Sequence, residues 1–347
     1  MSNPLKKAAI DWFVRFLRQE DVMKESDRQF NLRHRQTPDL ANVPSPYPMA
    51  APESQDTAHS SALFVSGRFR SGSTLLWNLF RQMEGVTAYY EPFNERRWFD
   101  PAYRGERIDT SHRGVSDYWT EYDGLKELGK WYREDWIREA LYMDAESYDA
   151  DMQRYIDLLI NRTQGTAVLQ FNRVDFRLPW LKARYPTVPI LHLYRNPRNQ
   201  WLSFLTDKAA MGPDTVQVTY RDAFYLDVWC KDLARHFPYL DKGETPHPYR
   251  RFYYLWKLSW LFGQRYADRS IGYEDLINDP KAVLEPTTDQ LNLTTAVDWP
   301  KITSTISPPQ PEPWRDYADE DWFAGHEMAC ETVLNRECQS AANVSAS

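Results

Sequence analysis

Short runs of uninterrupted apolar residues alternate along this chain with longer stretches whose apolar residues recur at helical spacing. Ala62-Leu63-Phe64-Val65, Val86-Thr87-Ala88-Tyr89-Tyr90, Ala167-Val168-Leu169-Gln170-Phe171 and Val188 to Tyr194 are too short for stable helices, and all are rich in β-branched or aromatic residues. Each predicts a buried strand. A fifth strand, Arg269-Ser270-Ile271-Gly272-Tyr273, runs into Glu274-Asp275-Leu276. Helical patterns fill 75–80, 125–143, 147–163, 179–185, 221–237 and 249–266, whereas 100–124 is irregular and rich in charge and aromatics. Strands alternating with helices predict an α/β fold with a central parallel sheet covered by helices on both faces.

Two flanking regions depart from that alternation. Residues 4–33 read as a helix with Ile10, Phe13, Val14 and Leu17 on one face, an arm that docks on the domain or on a second copy in a homo-oligomer. Glu20, Asp21, Glu25 and Asp27 argue against an anionic lipid surface as its partner. Pro38, Pro44, Pro46, Pro48 and Pro52 mark residues 37–60 as a linker or a wrapped loop. The expected organisation is therefore an arm and linker over 1–60 and one domain over 61–347, with its motifs in 61–280 and an extension over 281–347. Within the extension, Pro308, Pro309, Pro311 and Pro313 precede Trp314 and Arg315, a stiff segment able to pack as a tail or to cover a ligand.

Composition narrows the function. A net charge of −7 argues against nucleic acid as a partner, although local basic clusters can still hold a small anion. Three cysteines, Cys230, Cys330 and Cys338, are too scattered for a disulfide scaffold or a C-x-x-C site. No segment has the roughly 20 apolar residues of a membrane span. Lys6-Lys7 precedes a mixed charged helix and not the apolar core of a signal peptide, so the expectation is a cytoplasmic protein. The 14 Trp, 21 Tyr and 16 Phe are mostly core, but a minority lining a cleft would suit stacking on sugar rings or holding a flat acceptor.

The most informative motif follows the first strand. Ser66-Gly67-Arg68-Phe69-Arg70-Ser71-Gly72-Ser73-Thr74-Leu75 joins a strand to a helix through a glycine-bearing turn. That arrangement presents backbone N–H groups to a phosphate. Gly67 and Gly72 have the spacing of a P-loop, G-x-x-x-x-G-K-S/T, but Ser73 stands where the lysine would be and the cation is Arg70. The strand ending at Tyr194 leads into Arg195-Asn196-Pro197-Arg198 and on to Ser203. Arginines and a hydroxyl at a strand's carboxyl end lie where open α/β sheets bind ligands, and they form a sound phosphate pair.

The phosphate loop, the Arg195-x₇-Ser203 cluster and Tyr273-Glu274-Asp275-Leu276-x-x-Asp279-Pro280, in that order over about 61–280, resemble the sulfotransferases that use 3′-phosphoadenosine 5′-phosphosulfate (PAPS). The resemblance implies a three-layer P-loop-like fold and PAPS as co-substrate, with 3′,5′-ADP as its product and no metal. It places the 5′-phosphosulfate loop on Arg70, Ser71, Gly72, Ser73 and Thr74, with Arg68 counted among the donor-binding residues. Arg70 would neutralise leaving-group charge, Arg195 and Ser203 would grip the 3′-phosphate, and Tyr273 would lie near the adenine. Leu75 stands where many cytosolic members have tryptophan, and their C-terminal Arg-Lys-Gly-type motif is missing. Tyr90-Glu91-Pro92 instead resembles the Glu-Pro of carbohydrate-directed branches, implying an acceptor hydroxyl on a carbohydrate or related small molecule.

Sulfuryl transfer, like phosphoryl transfer, asks the protein to position the partners and to stabilise leaving-group charge. A hydroxyl acceptor also gains from a base within hydrogen-bond reach. Glu91 at a strand end is the first candidate, Glu95 can share or replace the role, and His112 is the third. The rival enzyme is a P-loop kinase, which requires lysine at position 73 and an acidic metal ligand at a strand end where this chain has Arg195. The rival from another class is a catalytically inactive nucleotide-binding scaffold.

Overall fold

The computed structural model describes residues 62–345 apart from 106–107, 110–111, 113, 294–296, 305 and 307–312, together with Trp12, Phe16 and Gln19. The chain divides into two units, residues 1–40 and 41–347. In the first, Trp12 and Phe16 are one helical turn apart with rings stacked at 5.8 Å. The remainder of the expected arm, its homo-oligomer contact, the 37–60 linker and Pro308, Pro309 and Pro311 lie outside the described residues.

Five parallel strands form the sheet of the second unit: β1 (Ala62–Gly67), β2 (Val86–Tyr90), β3 (Thr166–Phe171), β4 (Ile190–Tyr194) and β5 (Arg269–Gly272), in the order β2-β3-β1-β4-β5. Every residue of β1 and β3 is buried. Successive strand residues face opposite sides, so both faces of the sheet are covered, as the continuous apolar runs require. The chain leaves β1 toward β2 on one side and leaves β4 toward β5 on the other. That reversal opens a crevice beyond the carboxyl ends of β1 and β4.

The helices that position the crevice are α1 (Ser73–Arg81), α2 (Ala150–Arg162), α3 (Leu178–Arg184), α4 (Pro197–Phe204), α5 (Leu226–Leu233), α6 (Pro248–Tyr266), α7 (Tyr273–Asn278), α8 (Pro280–Gln290) and α9 (Glu320–Ser345). Asp149 caps α2 by accepting from the Met152 amide, and Asn196 caps α4 while Pro197 opens it. Between β4 and β5, the buried His192 imidazole meets Ser270 Oγ at 2.7 Å. Gly263 of α6 lies flat against that ring, where any Cβ would collide with it.

Two helical expectations are corrected. Residues 125–143 hold only the 3₁₀ turns Lys126–Lys130 and Glu134–Ile137. Tertiary partners take the backbone groups that a helix would use internally. The buried Arg177 guanidinium donates to the carbonyls of Trp136, Glu139 and Ala140, and the amides of Ala140 and Leu141 donate to Asp232. The stretch 221–237 is helical only over α5. Asp222 accepts from the amides of Phe224, Leu226 and Asp227, and Tyr225 takes a left-handed φ of 63°. Those contacts delay the helix start and turn the 223–225 backbone toward the crevice.

The long helix α9 has no counterpart in the sequence reading. Its apolar seam is narrow, with Phe323, Cys330 and Leu334 buried, and its docking is largely polar. Arg198 of α4 makes a two-pronged bond to Glu327, at 2.9 and 2.8 Å, and a third bond to Glu320 at 2.7 Å. Tyr249 also donates to Glu327 at 2.7 Å. Burial pushes the thiols of Cys230 and Cys330 up to about 12, so both stay protonated and serve as packing residues.

Candidate active site

A cavity of about 440 Å³ opens in the crevice, floored by the loop between β1 and α1. Gly72 precedes α1 with φ 94°, a conformation that favours glycine. No side chain caps α1 and its first turn carries no acid. The first N–H groups of a helix have no internal acceptor, so those of Ser73, Thr74 and Leu75 are presented to the cavity these residues line. Arg70 also adopts a left-handed φ, 65°, which turns its side chain across the loop. Its Nε donates to Ser203 Oγ at 2.9 Å, and its Nη1 lies 3.6 Å from Asp109.

Arg195 completes the basic side of the cavity. Its Nη1 donates to the Arg70 carbonyl at 3.2 Å, and its guanidinium lies 4.7 Å from the centre of the Tyr273 ring. That ring in turn packs on Gly72, where an added Cβ would fall inside it. Burial lowers the Arg195 pKa, while Tyr273 and Glu274 oppose that effect. The buried Arg195 Nε and Ser71 Oγ have no hydrogen-bond partner among the described residues. Two guanidinium groups beside an uncapped helix end suit an anionic ligand.

Most of the residues singled out in the sequence line the cavity: Arg70, Gly72, Ser73, Thr74, Arg195, Ser203 and Tyr273 on the basic side, Glu91 and His112 opposite. Arg68 and Ser71 do not line it. The Arg68 guanidinium lies under the loop, 3.0 Å from Asp175 and 5.0 Å from the centre of the Trp229 ring. Ser71 is buried beneath the turn.

Opposite the phosphate loop, Glu91 directly follows β2 with a left-handed φ of 40° and is buried. Its Oε2 accepts from Asn94 Nδ2 at 2.6 Å and from Arg173 Nη1 at 3.1 Å. Glu95 accepts from Arg173 Nη2 at 2.6 Å. Tyr90 beneath them meets Thr74 Oγ1 at 2.9 Å, and burial followed by the Glu91 charge raises its pKa far above the ordinary value. His112 Nδ1 lies 2.6 Å from the Tyr118 hydroxyl, which also accepts from the Asp109 amide at 3.1 Å. Burial lowers the His112 pKa, with Asp109 opposing it, so the ring is neutral near pH 7. Phe69, Phe224 and Tyr225 form one aromatic wall, and Tyr90, Trp98 and Tyr118 the other.

Sequence reasoning missed Arg173, Phe224 and Tyr225. Arg173 had a usable signal, since it follows the β3 run as Arg195 follows β4. Phe224 and Tyr225 reach the cavity only because α5 starts late, and nothing local announces that. Among the described residues no group of three His, Cys, Asp or Glu side chains is placed to hold a metal ion, and no helix is long and apolar enough to cross a membrane.

Residues 62–297 match the model of the sulfotransferase family. The chain belongs to that family. It is a transferase with the sulfotransferase fold. Solved structures that it resembles include a sulfotransferase from Alicyclobacillus acidocaldarius, 16% identical, covering 80% of this chain and 96% of the other with a TM-score of 0.37. A sulfotransferase domain from the olefin synthase of Synechococcus PCC 7002 is 15% identical, covering 86% and 98% with a TM-score of 0.33. Retinol dehydratase, solved with androsterone and the inactive cofactor PAP, is 16% identical over 79% and 80% with a TM-score of 0.31. No curated protein matches the sequence.

Proposed function

We propose that this sulfotransferase moves a sulfuryl group from PAPS to an acceptor hydroxyl on a carbohydrate or related small molecule. The observation that carries the reading is the convergence of the uncapped α1 end with the Arg70 and Arg195 guanidinium groups on one side of the cavity. Thr74, Ser73 and the α1 amides, with Arg70, would hold the 5′-phosphosulfate. Arg195 and Ser203 would hold the 3′-phosphate, and Tyr273 the adenine. Arg68 and Ser71 would support the loop from below.

Glu91 is the proposed base. It takes the proton of the acceptor O–H as the acceptor oxygen forms its bond to sulfur. The bond from sulfur to the 5′-phosphate oxygen breaks, and its electron pair stays on that oxygen. Arg70 and the α1 amides stabilise the resulting charge, leaving 3′,5′-ADP. Neutral His112, with Nδ1 engaged by Tyr118, is the weaker candidate for the base. The two aromatic walls and the carboxylates of Glu91 and Glu95 suit a ring bearing hydroxyl groups better than an anionic acceptor. A kinase reading is disfavoured by Ser73 and by Arg195 at the β4 end.

Calorimetric titration with 3′,5′-ADP, 5′-AMP and ATP tests the donor site. Binding of 3′,5′-ADP at least about tenfold tighter than 5′-AMP is expected, since a charged phosphate contact contributes about 1.5–3 kcal/mol. Preference for ATP would overturn the reading. PAPS turnover against free sugars, 4-nitrophenyl glycosides and simple alcohols then tests the acceptor, and Glu91→Gln tests the base.

A further inference from the structure

Arg173 is a cavity-lining cation that the proposed chemistry leaves unused. Its side chain is 1% exposed at the carboxyl end of β3, facing Glu91 at 8% and Glu95 at 40% exposure. The guanidinium bonds both carboxylates and also Asn172 Oδ1 at 2.6 Å, and its face lies 4.9 Å from the Phe69 ring centre. Burial opposes the charge on Arg173, but Glu91 and Glu95 outweigh it and raise the pKa, so the group is a fixed cation.

We propose that Arg173 is a positioning residue that aims the Glu91 carboxylate and, by dividing its charge between Glu91 and Glu95, sets how readily Glu91 accepts the acceptor's proton. This rests on Glu91 being the base. A cation bound to the base alone favours the anion and so opposes proton uptake. Glu95 draws the guanidinium partly away, by the shorter of the two contacts, and remains its counter-charge once Glu91 is neutral. Asn94 fixes the same Glu91 oxygen from the side. The other titratable groups around Glu91 are Tyr90 and Tyr122 beneath it and His112 and Tyr118 across the cavity. Arg70 and Asp109 lie further along the same cavity. None of these bridges the two carboxylates as Arg173 does.

The test is the pH profile of kcat/KM for release of 3′,5′-ADP from PAPS, with water as the acceptor so that no acceptor need be known. Arg173→Met should move the acid limb up by about one pH unit or more, because it removes an opposite charge in contact with the base. Glu95→Gln should move the same limb down by about half a unit, because it removes a like charge and leaves Arg173 to Glu91 alone. Arg173→Lys, which keeps the charge without the fork, should fall between wild type and Arg173→Met. Should Arg173→Met not fold, as thermal melting will report, Glu95→Gln and Arg173→Lys still decide. Superimposed profiles for Glu95→Gln and wild type, or an upward shift in Glu95→Gln, overturn the inference. If Glu91→Gln is inactive while the profiles superimpose, only this inference falls. If Glu91→Gln turns over normally, the base reading falls and takes the inference with it.

Discussion

Gly72→Ala tests how the phosphate loop holds the basic side of the cavity. The substitution acts twice. An L-residue at φ 94° is strained, with a cost of about 1–2 kcal/mol. The new Cβ also falls within the Tyr273 ring, and forcing a packed side chain aside costs about 1–3 kcal/mol more. Because that ring lies against Arg195, its displacement should carry the guanidinium with it. Loss of one charged phosphate contact, about 1.5–3 kcal/mol, corresponds to roughly 10- to 150-fold weaker binding of 3′,5′-ADP. Urea melts of Gly72→Ala, Tyr273→Ala and the double variant separate the two effects. With the ring absent, only the backbone strain should remain, so the cycle should be non-additive by about 1–3 kcal/mol. Calorimetry on Gly72→Ala supplies the affinity. Additivity within about 0.5 kcal/mol, or unchanged 3′,5′-ADP affinity, would refute the reasoning.

Other outcomes follow from the same contacts. Arg195→Ala should weaken 3′,5′-ADP by at least about tenfold and change 5′-AMP little, which parallel titrations would show. Asp175→Ala leaves the buried Arg68 charge unpaired and should cost about 3–5 kcal/mol in urea unfolding. The folded fraction should still bind 3′,5′-ADP, because Arg68 lies outside the cavity lining. Burial lowers His192 to about 4 in the folded chain. The unfolded chain therefore takes up a proton below about pH 6.5 that the folded chain refuses, and stability falls between about pH 6.5 and 4 by about 3 kcal/mol from this group. Urea melts at pH 7.5 and 4.5 should show that loss in wild type and a smaller one in His192→Asn; equal losses would exclude His192 as a cause.

What could be read from the sequence follows from how far each residue's environment reaches along the chain. The buried runs at 62–65 and 167–171 needed no context, because a strand covered on both faces is apolar at every position. Arg70, Gly72, Arg195 and Tyr273 were legible because each sits at a strand's end, within a few residues of the element that places it. The failures share the opposite cause. Residues 125–143 carry a helical pattern but give their backbone groups to Arg177 and Asp232, 37 or more positions away. Arg68 sits in the phosphate motif yet turns inward because Asp175, from beyond β3, is there to meet it. The helix α9 hides its role because its anchors are glutamates that read as a solvated face.

The strand order has a further meaning for how the domain matures. The basic side of the cavity draws on residues from 70 to 273, and Tyr273 directly follows β5, which pairs with β4. Parallel pairings over such separations form slowly, since loop closure precedes any gain from contact. A chain with an unfinished sheet therefore lacks the complete cavity, and under the proposed function 3′,5′-ADP would bind only finished molecules. At 100 times its dissociation constant the nucleotide would favour the completed fold by about 2.7 kcal/mol. The co-product of turnover would thus double as a folding aid, and adding it during refolding should raise the yield of native protein.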